Sequence, residues 1–149
     1  MEKRLTEAYR ENRNALQDTV ESLFALLAGG VLYFGMEILW GGDSHWTMMV
    51  CGGICFLFLY RLHVRYPRVP LLFRALTGAV FITGVELLAG CLLNLGLGLA
   101  IWDYSQMPHQ FLGQICLYYS VLWFLICIFA DLPIYLIRRF VFLSGERSK

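Results

Sequence analysis

Two glutamates stand inside otherwise apolar runs: Glu37 in the stretch Tyr33–Trp40 and Glu86 in the stretch Phe81–Gly90. A charged side chain near the centre of a bilayer costs about 2.5–3.5 kcal/mol on insertion scales, so such a group faces a cavity or a partner. Two carboxylates brought together would repel each other. They can share a proton, hold a cation or receive a positively charged substrate group. The competing reading is structural: each acid is hydrogen-bonded to Ser, Tyr or backbone and fixes the register of its helix.

More polar groups cluster in two short stretches on the same side as the glutamates. The first contributes Ser44 and His45, beside Asp43 and Trp46. The second contributes Asp103, Tyr104, Ser105 and His109, with Trp102, Gln110 and Gln114 close by. Together with Glu37 and Glu86, these residues form a candidate substrate- or ion-binding set. Asp103 followed by Tyr104 and Ser105 predicts a turn tied by side-chain-to-backbone hydrogen bonds. A histidine at this depth more often makes a hydrogen bond than binds metal, and Trp46 and Trp102 suit ordinary interface anchoring. No HExxH, GxSxG or P-loop pattern occurs, so no catalytic residue, metal or cofactor is assigned. Without a nucleotide site the chain would not drive transport by hydrolysing ATP itself. The five cysteines (Cys51, Cys55, Cys91, Cys116, Cys127) lie in apolar runs without metal spacing and read as small hydrophobes.

The elements that carry these residues follow from composition. Of 149 residues, 58% are hydrophobic and 15% charged, against about 25% charged in a soluble domain. That excess must face lipid, which disfavours disorder, nucleic-acid binding and an ordinary soluble enzyme. Four runs have helical spanning length: about Ser22–Trp40, Trp46–Leu62, Pro70–Asn94 and Phe111–Ala130. No stretch shows the alternation expected of strands. The fold expected is therefore an all-α polytopic membrane protein with four transmembrane helices. Residues 1–21 form a charged cytoplasmic segment that could extend the first helix, with Glu7 and Arg10 as a weak ion pair, and no cleavable signal peptide is expected. Residues 22–130 form the membrane domain. Asp131-Leu132-Pro133 reads as a fresh helix start, making 131–149 an interfacial helix and cytoplasmic tail.

All twelve Lys and Arg fall before the first span, around the link between the second and third, or after the fourth. The other two loops hold none. The positive-inside rule then places both termini and the middle loop in the cytoplasm of a cell (plasma) membrane.

The two halves also resemble each other. Gly29, Val31, Gly35, Glu37, Leu39 and Gly41 align with Gly78, Val80, Gly84, Glu86, Leu88 and Gly90 at one offset. Ser44, Gly52, Ile54 and Cys55 align with Ser105, Gly113, Ile115 and Cys116 at a longer one, the difference being an insertion in the second outer loop. This predicts two tandem parallel two-helix repeats, about 22–62 and 70–130, related by a pseudo-two-fold axis along the membrane normal. The small residues Ala25, Gly29, Gly30, Ala75, Gly78 and Ala79 suit close helix approach in lipid better than a hinge at Gly52-Gly53.

The stretch Trp102-Asp103-Tyr104-Ser105, Pro108, Gly113-Gln114-Ile115-Cys116-Leu117 and Trp123 resembles the signature of the CmpB-like family, also labelled an ABC-transporter type IV or ABC transporter permease. Ser44–Met48 and Gly52–Phe56 are similar to the first half of its small four-span members, and Glu37 and Glu86 fall where those members carry a glutamate. His109 stands where the family tends to have Asn. The resemblance implies a permease-like membrane protein, and the two repeats with Glu37 and Glu86 as central groups would enclose a polar cavity open to the extracytoplasmic side. Its cargo would be a cation, a proton-coupled solute or an amphiphile. The alternative is a non-transporting scaffold or accessory subunit, and a membrane enzyme ranks last. The partners expected are the lipid bilayer, a second copy in a homodimer and an unidentified membrane partner, without nucleic acid. The topology is directly testable. A fluorescent protein fused at the C-terminus should fluoresce, and alkaline phosphatase inserted in the 95–110 loop should be active; the reverse pattern would invert the assignment.

Overall fold

The computed structural model describes residues 2–139. Helix α1 (Glu2–Gly41) is followed by α2 (Trp46–Arg65) and α3 (Leu71–Ala89). The last of these continues as a π-helical turn over Gly90–Gly96. A two-stranded hairpin, β1 (Gln110–Phe111) and β2 (Ile115–Cys116), precedes α4 (Leu117–Ile137). Four of these helices are long and apolar enough to cross a membrane. The protein is an all-α polytopic membrane protein. Only 17–22% of each most apolar window is buried within the protein. Leu39, Trp40 and Phe129 project almost fully outward, as a lipid-facing surface requires.

Each helix boundary has a local cause. α1 ends where Gly42, at φ +86°, donates its N–H to Ile38 O at 2.9 Å, a left-handed cap that a residue with Cβ adopts at a cost. α2 starts at His45, whose ring Nδ1 accepts from the Thr47 N–H while its carbonyl takes the Met48 N–H. The Tyr66-Pro67-Arg68-Val69-Pro70 link turns the chain, and the Pro70 carbonyl receives the first α3 amides. α1 packs along α2 and α3 along α4, while α2 also touches α3 and α4 and so joins the two pairs.

Lipid supplies no hydrophobic drive between helices, so contact depends on how closely backbones approach. Gly29 and Gly30 on α1 face Phe56 and Met49 on α2, and Gly52 and Gly53 on α2 face Tyr33 and Leu26 on α1. The contact is reciprocal, which makes the Gly52-Gly53 pair a packing device and not a hinge. Gly78 on α3 admits Leu59 of α2 and Cys127 of α4 in the same way. A small core of Ala25, Tyr60 and Ile134, flanked by Phe56, Leu57, Leu59, Val64 and Ala130, ties α1, α2 and α4 together. Phe58 and Phe81 stack at 3.8 Å between α2 and α3.

Three expectations need correction. The fourth span begins at Leu117 and not at Phe111, because residues 110–116 close a hairpin too short to show strand alternation. No helix starts at Asp131: α4 runs unbroken through Pro133, and the Asp131 carboxylate is taken by side chains of α2 and α3 instead of capping its own backbone. The second part of the repeat alignment does not carry local structure. Ser44–Cys55 leads into the helix starting at Trp46, whereas Ser105–Cys116 is loop and hairpin. The first part, Gly29–Gly41 against Gly78–Gly90, is helical in both copies up to Gly90, where the π-turn begins. Side chains are described from residue 15 onward, so the expected Glu7–Arg10 pair lies outside what is described, as does the course of the tail beyond residue 139.

These contacts set a stability test. A Cβ at Gly53 would stand 2.6 Å from the Leu26 carbonyl oxygen, and one at Gly35 would meet nothing within 4 Å. Gly53→Ala should lower the unfolding midpoint in detergent, at a cost of about 1–3 kcal/mol. Gly35→Ala should leave it unchanged or raise it by up to about 1 kcal/mol through helix propensity.

Candidate functional site

Glu86 projects from the C-terminal half of α3 and is half-buried. Its Oε1 accepts from the Tyr104 hydroxyl at 2.9 Å and its Oε2 from the Trp123 indole N–H at 3.1 Å. One donor comes from the loop after α3 and the other from α4, so the acid ties three elements to one point. Glu37, near the C-terminal end of α1, accepts a hydrogen bond from the Ser44 hydroxyl. Tyr33, one helical turn before Glu37, lies within electrostatic reach of both Glu37 and Glu86. Its ring approaches Trp123 at 6.1 Å. Both carboxylates therefore lie within electrostatic reach of one phenol, and Tyr33 meets Glu86 through the Trp123 ring. Cys51 lies within reach of Glu37, and Cys55 within reach of Glu86.

Among the described residues, no basic side chain stands at salt-bridge distance from either glutamate. Glu37 and Glu86 are held by neutral donors. Burial first, and the adjacent Glu86 charge second, push the Tyr104 hydroxyl above its ordinary value. It therefore remains a donor throughout the physiological range. Its ring stacks on Tyr119 at 4.7 Å, which fixes the direction of that hydroxyl.

Tyr104 is placed by the loop around it. Its N–H donates to the Gly113 carbonyl at 2.7 Å, and Asp103 Oδ1 accepts the Ser105 N–H at 2.8 Å in the turn expected from the sequence. Gln114, 3% exposed, accepts from Asn94 Nδ2 at 2.8 Å, and its own amide donates to Leu112 O at 3.1 Å. Asn94 Nδ2 also reaches Trp102 O, and Asn94 Oδ1 takes the Ile101 N–H. The Trp102 indole donates to Gln114 O at 3.0 Å. Gly90 presses against Gln114 so closely that a Cβ would stand 2.5 Å from its side-chain oxygen. The π-helical turn and the hairpin thus form one hydrogen-bonded cap over the outer end of α3.

The residues picked from the sequence therefore divide. Glu86 and Tyr104 meet directly, and Glu37 and Ser44 meet directly. Asp103 and Ser105 bond to each other and shape the turn. His45 caps α2. His109 is exposed at φ +52°, and its carbonyl accepts the Leu117 N–H at 3.2 Å, away from the acids. Sequence reasoning gave Trp123 no role beyond the resemblance and missed Tyr33 and Asn94. Helical spacing from Glu37 would have found Tyr33.

A family model described as "Putative ABC-transporter type IV" (ABC_trans_CmpB) matches residues 21–144. The chain belongs to this family. The matched stretch of this ABC_trans_CmpB chain takes in both glutamates, the cap and all four spans apart from the first turns of α1. No curated protein and no solved structure matches the chain.

Removing one donor from a buried carboxylate leaves it partly unsatisfied. Tyr104→Phe should cost about 1–3 kcal/mol of unfolding free energy. The pH dependence follows from the raised folded value. The folded state holds the Tyr104 proton more tightly than the unfolded chain, so this stability is complete below the ordinary tyrosine value near pH ~10 and fades above it. A melting series from neutral to alkaline pH should fall less steeply for Tyr104→Phe than for the wild-type protein.

Proposed function

We propose that this protein is permease-like and that Glu86 and Glu37 are its cation-handling groups. The supporting observation is that two carboxylates in different spans are each held by neutral donors, Ser44 for Glu37 and Tyr104 with Trp123 for Glu86, with no counter-cation among the described residues. A membrane-embedded acid without a basic partner leaves a site whose charge a proton or a metal cation would balance. The Tyr104 and Trp123 hydrogen bonds define its resting state. Cation arrival would compete with those donors, and the cap carrying Tyr104 is the element that must yield. A homodimer would give four spans per copy room for a pathway between them. The same double-donor arrangement at Glu86 also favours a second reading, a non-transporting scaffold in which the acid only pins the cap to α3 and α4.

The two readings part in reconstituted vesicles. The wild-type protein should move protons, Na+ or K+ across dye-loaded proteoliposomes above the background of empty vesicles. Glu86→Gln and Glu37→Gln should lose that flux while melting close to the wild-type temperature, because at position 86 the amide oxygen still accepts the Trp123 N–H while the amide NH2 donates to the Tyr104 hydroxyl, and at position 37 the amide oxygen still accepts from Ser44. Absence of flux from the wild type, or full flux from both variants, would leave the scaffold reading in possession.

A further inference from the structure

At the opposite end of the bundle from Glu86, the first turn of α3 brings Arg74 between α2 and α4. Arg74 Nη2 pairs with Asp131 Oδ2 at 2.7 Å, and His63 Nδ1 stands 2.8 Å from Asp131 Oδ1. The three side chains come from three helices and are mostly buried: Arg74 is 12% exposed, His63 14% and Asp131 27%. They line a small half-open recess whose other walls are Leu59, Leu62, Cys127, Ala130 and Ile134. Arg74 Nη1 reaches Pro67 O at 3.5 Å, but the buried Nε–H meets no acceptor among the described residues. A guanidinium donor left unmet in an apolar wall is costly, and an oxygen arriving in the recess would satisfy it.

The charge at this end of the spans selects the oxygen. Arg61 and Arg65 end α2, Arg68 lies in the link and Arg138 follows α4. On the α1 side the charge is offset, since Arg61 pairs with Asp18 at 3.7 Å and Tyr60 bonds Glu21 at 2.6 Å. On the α2–α3–α4 side Asp131 is the carboxylate of the recess, already shared by Arg74 and His63. Apolar walls at an arginine-rich end of the spans match a molecule with a negative head and hydrocarbon tails. We infer that this recess binds the phosphate of an anionic phospholipid. One phosphate oxygen accepts from Arg74 Nε while the acyl chains run down the exposed apolar flanks of α2 and α4.

Arg74→Lys tests the assignment, because lysine keeps the charge opposite Asp131 and lacks the Nε–H. The full chain in detergent is melted with phosphatidylglycerol, with phosphatidylcholine and with inorganic phosphate. Phosphatidylglycerol should raise the wild-type midpoint well above the other two. In Arg74→Lys its apparent affinity should fall about tenfold. Asp131→Asn, which removes the competing carboxylate, should strengthen the response and serves if the lysine variant does not fold. Equal shifts with phosphatidylcholine would mean that the negative headgroup is not recognised, no lipid shift at all would leave the recess to a trapped water, and an equal shift with inorganic phosphate would assign it to a soluble anion. Any of these results, or an unchanged response in Arg74→Lys, overturns the proposal.

Discussion

A carboxylate set in an apolar helix must find hydrogen-bond donors, and lipid provides none. Glu86 meets that demand with donors from two other elements, Tyr104 of the outer loop and Trp123 of α4. The rest of the outer end follows from that need. Tyr104 reaches the acid because its backbone is held by Gly113, which is held in turn by the hairpin. Asn94 and Gln114 fasten the hairpin to the end of α3. Asp103 and Ser105, picked from the sequence as candidate ligands, shape the turn that carries the Tyr104 hydroxyl.

The opposite end of the bundle solves the same problem differently. There the buried acid is Asp131, and it is met by a cation and a histidine instead of neutral donors. Removing either partner of such a pair strands a charge, so the cluster holds α2, α3 and α4 in one arrangement. Between the two ends the helices meet mainly through glycine and ring contacts, where shape and not polarity decides the fit.

How far the sequence was readable depends on the range of the forces involved. The four spans and some of their boundaries are set by local hydropathy and turn residues, and these could be read directly. The α2 start at Trp46 and the turn at Asp103–Ser105 are examples. Asp131 was misread as a cap because its partners His63 and Arg74 are 68 and 57 residues away, and a single sequence does not reveal such pairings. An arginine inside Leu71–Ala79 and an aspartate ending the long apolar run before Leu132 were nonetheless a signal of opposite charges seeking each other. The hairpin escaped notice because two-residue strands leave no periodicity. The match of Gly52 with Gly113 misled for a related reason: the same residue type serves close packing inside α2 and a φ of +68° in the loop.

The two acidic sites differ in net charge as well as in partners. Arg74 and Asp131 cancel, so the electric field across a membrane exerts little net pull on that cluster. Among the described residues Glu86 has no cation beside it, and whenever it is ionised it carries its full charge part-way into that field. A full crossing is worth about 2.3 kcal/mol per elementary charge at 100 mV, and a partial depth a fraction of it. Voltage would therefore bear on the Tyr104–Glu86 latch and spare the opposite end of the bundle.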